Sequence, residues 1–146
     1  MSYQAIRGAV EKATHDALRT AGVAAAAISF DNYGETSGPA DETYAVISLA
    51  FDQTADDVVG CEGVEDIRGS INCLVYTPKQ QGSKPGEDIA LEVIKAWVTT
   101  NQRGTTHPTG VEQLAFRNMT GPSALAPDQR PHHVNAVTAG FIARAS

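Results

Sequence analysis

Along the first twenty residues the apolar positions return every three to four places. Tyr3, Ile6, Val10, Ala13, Ala17 and Ala21 recur, while Arg7, Glu11, Lys12, Asp16 and Arg19 fill the opposite side. That spacing predicts an amphipathic helix over residues 2–21, with Ser2 placed to cap it and Gly22 to end it. The period then drops to two. Residues 24–31 read as a first strand, residues 32–41 as a turn-rich loop, and residues 43–53 as a second strand with Ala45, Ile47, Leu49 and Phe51 on one face. Residues 56–62 and 67–77 flank Gly-Val-Glu-Asp and read as a β-hairpin. In its second arm Ile71, Cys73 and Val75 face one way, and Asn72, Leu74 and Tyr76 the other. Both faces are partly apolar, which suits a central strand covered on two sides.

The following stretch is the most informative. Pro78 offers no ladder donor and ends the strand, and residues 80–86 (QQGSKPG) read as a connector, which places Lys79 and Lys84 on a loop. Glu87 and Asp88 then fall in the first turn of a helix, at the positive end of its dipole. Around that helix Ile89, Ala90, Val93, Ala96 and Trp97 form a core stripe, and Leu91, Ile94 and Val98 carry it far round the cylinder. Only Asp88, Glu92, Lys95 and Thr99 make a polar edge. A surface helix needs an apolar arc of about 100°, and this one is roughly twice as wide. The helix is either deeply buried in its own domain or shared with a partner, so Leu91, Ile94 and Val98 are candidate subunit contacts.

After a loop over residues 101–110, residues 111–118 read as a strand. Residues 119–131 hold three of the seven prolines and read as a long ordered loop or arm carrying Arg130. Residues 132–144 close the chain as a strand. The order α-β-β-β-β-α-β-β predicts an α+β fold: one domain over residues 1–146, with a mixed or antiparallel sheet of about five to six strands and two helices packed on it.

Composition narrows the function. A chain of 146 residues, 42% hydrophobic and 19% charged, can bury a core without disulfides or metal. The net charge of −6 disfavours binding to a phosphate backbone, and Lys79, Lys84, Arg103 and Arg130 are scattered through loops without interleaved aromatics. The opening MSYQAIRGAV lacks the basic-then-apolar pattern of a secretory signal. No apolar run approaches the ~18 residues of a membrane helix. The expectation is a soluble protein made in the cytosol, with no membrane partner. Cys61 and Cys73 have neither CxxC nor zinc-like spacing and read as reduced, partly buried thiols.

Catalytic chemistry is not indicated. His132 and His133 are consecutive in a strand and point to opposite faces; His15 lies on a helix beside Asp16, and His107 precedes a proline in a loop. The acidic group Asp56, Asp57, Glu62, Glu65 and Asp66 lacks the spacing of a calcium loop. It reads as a solvated hairpin tip, or as a negative surface turned to a partner or a channel. GSKPG lacks the Gly-Lys-Ser/Thr ending of a phosphate loop, and Pro85 removes an amide that would cradle an anion. No nucleophile-and-base arrangement stands out. The residues read as a non-enzyme that needs no cofactor or metal.

The run RGSINCLVYTPKQQGSKPGEDIALEVIKAW, followed by Phe116-Arg117-Asn118, GPSALAPDQRPHHVN and the closing Phe141-Ile142-Ala143-Arg144, resembles a family of small phage tail-terminator-like proteins. The likeness is one of layout across nearly the whole chain, with the YTPK and LAPDQRPHHVN segments as its most specific pieces. It implies a non-enzymatic homo-oligomer, typically a hexameric ring, at the head-proximal end of a virion tail. Such a ring ends growth of the tail tube and joins it to the head-side connector or stopper protein. DNA would pass through the ring without specific binding, which the acidic balance suits. On this reading Asp56, Asp57, Glu62, Glu65 and Asp66 form the face that repels further tube subunits, while Lys79, Lys84 and Arg130 pair with acidic partners. Two other readings stay open: a head–tail connector or completion protein of the neck, and a small non-viral ligand-binding domain.

Overall fold

Helix α1 (Tyr3–Thr20) starts the described chain. It ends where Gly22 takes φ 101°, a conformation that needs no Cβ, so that the Gly22 N–H donates to the Arg19 carbonyl at 3.1 Å and the Val23 N–H to that of Leu18 at 3.0 Å. The structure, a computed structural model, describes residues 3–30, 42–52, 66–78, 84–102, 107, 109–124 and 132–145. The buried side of α1 carries Ile6, Ala9, Val10, Ala17 and Leu18 together with Thr14. Ala9, Thr14 and Leu18 thus belong to the core face, which the predicted stripe did not include.

Strands β1 (Ile28–Phe30), β2 (Tyr44–Phe51), β3 (Asp66–Pro78), β4 (Val111–Ala124) and β5 (His132–Ala145) form one mixed sheet in the order β1-β2-β3-β5-β4. Among the described residues β1 and β2 run parallel, and the other pairs are antiparallel. With α2 (Lys84–Thr100) the architecture is α+β. Among the described residues no helix is long and apolar enough to cross a membrane.

Two elements differ from the pattern-based reading, and a third falls where the structure describes nothing. The expected first strand over residues 24–31 shrinks to three residues, because Ala25–Ala27 wind into a 3-10 turn; alanine has no branched or aromatic side chain to pack on a pleated surface. The expected hairpin arm over residues 56–62 lies outside the described residues. The expected arm over residues 119–131 instead begins as strand: β4 continues to Ala124 through register shifts after Arg117 and after Thr120. Asn118 (φ 53°) and Gly121 (φ 117°) absorb those irregularities, and Pro122 is tolerated because β4 is an edge strand.

Both helices share one core with a single face of the sheet. Ala45, Ile47 and Leu49 of β2, Ile71, Cys73 and Val75 of β3, Phe116 of β4, and Val137, Ala139 and Phe141 of β5 pack with Val10 and Leu18 of α1 and with Val93 and Trp97 of α2. Burying a large apolar side chain of this kind contributes about 1.5–3 kcal/mol. Central β3 is buried on its helix side, whereas Asn72 and Leu74 on its other side are half-buried. Tyr44 and Tyr76 stack on that second face with ring centroids 4.4 Å apart.

Candidate functional site

Helix α2 starts three residues earlier than its first carboxylate suggested. Pro85 fits the first turn, where its missing N–H has no intrahelical partner to lose, and this draws Lys84 out of the expected loop into the helix. There its Nζ lies 3.0 Å from Oδ2 of Asp88, an exposed ion pair one turn apart, whose contribution to stability is small. Gly86, Ala90, Val93 and Trp97 form the buried side. Leu91 is 51% exposed and Val98 47%, with half-buried Ile94 between them. Spacings of three and four residues align the three on one stripe. Of the two explanations for the wide apolar arc, burial within the chain's own fold therefore fails for Leu91 and Val98. Near the start of α2, Leu91 also borders an open groove of about 610 Å³ with Thr20, Ala21, Pro85, Asp88, Ile89 and Glu92.

A second surface was missed by the sequence pattern. Arg68 stands across from Ile142, Arg117 across from Gly140, and Arg144 between Asp66 and Gln113. Alternation with buried Ile67, Phe116 and Ala143 turns all three arginines away from the helices. Their register positions lie near one end of the sheet, on either side of Ile142. The three strands themselves were legible in the sequence, but the pairing of β5 between β3 and β4 was not. Asp66, counted among the repelling acids, begins β3 directly opposite Arg144, so the backbone places this acid across from a cation. Asp56, Asp57, Glu62 and Glu65 lie outside the described residues, as do Lys79 and Arg130.

The titratable groups have structural surroundings. Nδ1 of His15 is 3.8 Å from Oδ1 of Asp16, and its ring stacks on Phe30 at 6.3 Å. The hydrogen bond from Lys12 holds the Asp16 carboxyl below the usual carboxylate range. Burial pushes the Cys73 thiol up to about 12, which leaves no thiolate to act as nucleophile near neutral pH. Among the described residues no group of three or more His, Cys, Asp or Glu is arranged to hold a metal ion.

No family model matches the sequence, and no curated protein matches it. Solved structures do share its fold. One, a protein carrying only a sequence identifier as its name, is 21% identical with a TM-score of 0.58, over 98% of this chain and 96% of its own. A chain of the virion of a native gene transfer agent particle is also 21% identical, with a TM-score of 0.55 over 99% of this chain and 98% of that one. The bacteriophage SPP1 gp17 protein is 14% identical over 94% of this chain and 91% of that one, at a TM-score of 0.38, a fit too loose to bear on function. At 21% identity the likeness establishes a common fold.

Proposed function

We propose that this chain is a structural subunit of a phage-like virion, a tail terminator that assembles into a ring, caps the tail tube and joins it to the head-side connector. The observation that carries the reading is the end-to-end likeness to a chain of the gene transfer agent virion, which spans 99% of this protein and 98% of that one. Nearly full coverage on both sides argues for the same whole subunit in place of a shared fragment. Exposed Leu91 and Val98, with half-buried Ile94 between them, support the ring part of the proposal, since subunits of a closed ring need an apolar patch to bury against a neighbour. A stable contact of this kind buries roughly 1,200 Å² or more. The role proposed is mechanical: the ring offers one face to the last layer of tube subunits and withholds a matching face on the other side. No catalytic step is involved. A hexamer is the stoichiometry proposed, and DNA crosses the ring without being held.

Electron microscopy of the purified protein mixed with tail tubes tests this. The expected result is one ring at one end of each tube and an arrest of further growth. Tubes that keep growing with bare ends refute the terminator role. Rings that bind the head-side connector and ignore tubes assign the chain to neck completion.

A further inference from the structure

We infer that Asn101 is a clip that keeps the β4 edge of the sheet closed to strand addition by a second copy of this chain. Its side-chain Nδ2 donates to the Phe116 carbonyl at 2.7 Å, and its Oδ1 accepts from the Phe116 N–H at 2.7 Å. A carboxamide carries one donor edge and one acceptor edge, as a peptide group does. Asn101 therefore occupies Phe116 in the way a residue of an incoming strand would. Because both backbone groups of Phe116 are taken by Asn101, they point away from β5, and Phe116 and Phe141 form a pair without mutual backbone bonds.

The position of the clip is what gives it meaning. An open edge strand is a template for pairing with another chain. The other edge, β1, is only three residues long. On β4 the register is regular from Gln113 to Arg117 and shifts on either side of that stretch. Beyond it, Asn118 and Gly121 have positive φ and Pro122 lacks a donor. The competent part of the edge is thus short, and Asn101 sits on it. The clip is held in place by the end of α2: the Asn101 N–H donates to the Val98 carbonyl at 3.1 Å, and that of Gln102 to the Thr99 carbonyl at 3.1 Å. Opening the edge would expose a face suited to an antiparallel β4–β4 pair between two copies. This inference does not depend on the ring proposed above.

The experiment uses the full chain with Asn101→Ala, and Asn101→Ser as a second variant, each first shown by circular dichroism to be folded. Amide hydrogen exchange is followed at Phe116, and mass by light scattering, at several protein concentrations. In dilute solution the Phe116 amide should exchange roughly tenfold faster than in the unsubstituted protein, as loss of one hydrogen bond allows. With rising concentration its protection should return, together with a mass above that of the unsubstituted protein. A variant whose Phe116 amide stays protected in dilute solution overturns the clip. A variant whose amide opens while its mass follows the unsubstituted protein at every concentration overturns the strand-docking role.

Discussion

Trp97 on α2 donates its indole N–H to the hydroxyl of Thr14 on α1 at 3.0 Å, both residues being fully buried. Thr14 in turn donates to the Val10 carbonyl at 3.1 Å, so the indole is tied through one hydroxyl to the backbone of the other helix. The same ring stacks on Phe116 of β4 with centroids 5.5 Å apart. One side chain thereby fixes α2 against α1 and the sheet at once. Thr14→Val preserves the shape and leaves the indole N–H without an acceptor, which costs about 1–3 kcal/mol. Urea denaturation should show that loss as a lower midpoint at an unchanged slope. An unaltered midpoint would remove this hydrogen bond from the account of helix docking.

Gly69 gives a second prediction. A Cβ there would come within 2.5 Å of both the Ala50 carbonyl oxygen and Cζ of Phe141. The missing side chain is what lets Phe141 pack edge-on against Phe51, with centroids 5.8 Å apart, while Gly69 pairs with both residues in the sheet. Gly69→Ala should destabilise by about 1–3 kcal/mol through overpacking. Gly140→Ala is the matched control: its Cβ would find nothing nearer than 3.6 Å. Equal thermal midpoints for the two variants would contradict this packing argument.

Cys73 sets a pH dependence. Burial raises its thiol from 9.0 to about 12. In the unfolded chain the thiol ionises at the lower value, so between about pH 9 and pH 12 the unfolded state holds fewer protons and stability falls as pH rises. The contribution is complete below pH 9. In Cys73→Ala this part of the alkaline loss should vanish, as denaturation at pH 8 and pH 10.5 would reveal. The native thiol should also resist a disulfide reagent at pH 8 until the protein is unfolded.

The α2 stripe separates folding from assembly. Leu91→Glu with Val98→Lys alters exposed positions, and the monomer's stability should change by no more than about 0.5 kcal/mol per site. If the stripe is a subunit contact, light scattering will show a lower assembled mass for this variant at the same concentration. An unchanged mass would move the contact elsewhere.

The sequence by itself determined most of the scaffold. A period of 3.6 marked α1 and α2, and a period of two marked β2, β3 and the first part of β4, because each element must turn its apolar residues to one side. The same logic placed Leu91 and Val98 on an apolar arc wider than a surface helix needs, but only the tertiary structure leaves them exposed and not covered by the sheet. Where local signals misled, tertiary context outweighed them. Gly121 and Pro122 fell in a segment that read as a loop, yet pairing with β5 keeps the chain extended to Ala124 and absorbs them as irregularities of an edge. Arg68, Arg117 and Arg144 carry no shared signal along the chain. Only the antiparallel placement of β5 between β3 and β4 brings them near one end of the sheet. The Asn101 clip and the Trp97–Thr14 bond were equally illegible. Periodicity reports which side of an element is buried, whereas a hydrogen bond between residues far apart in the chain depends on the register and angle at which those sides meet.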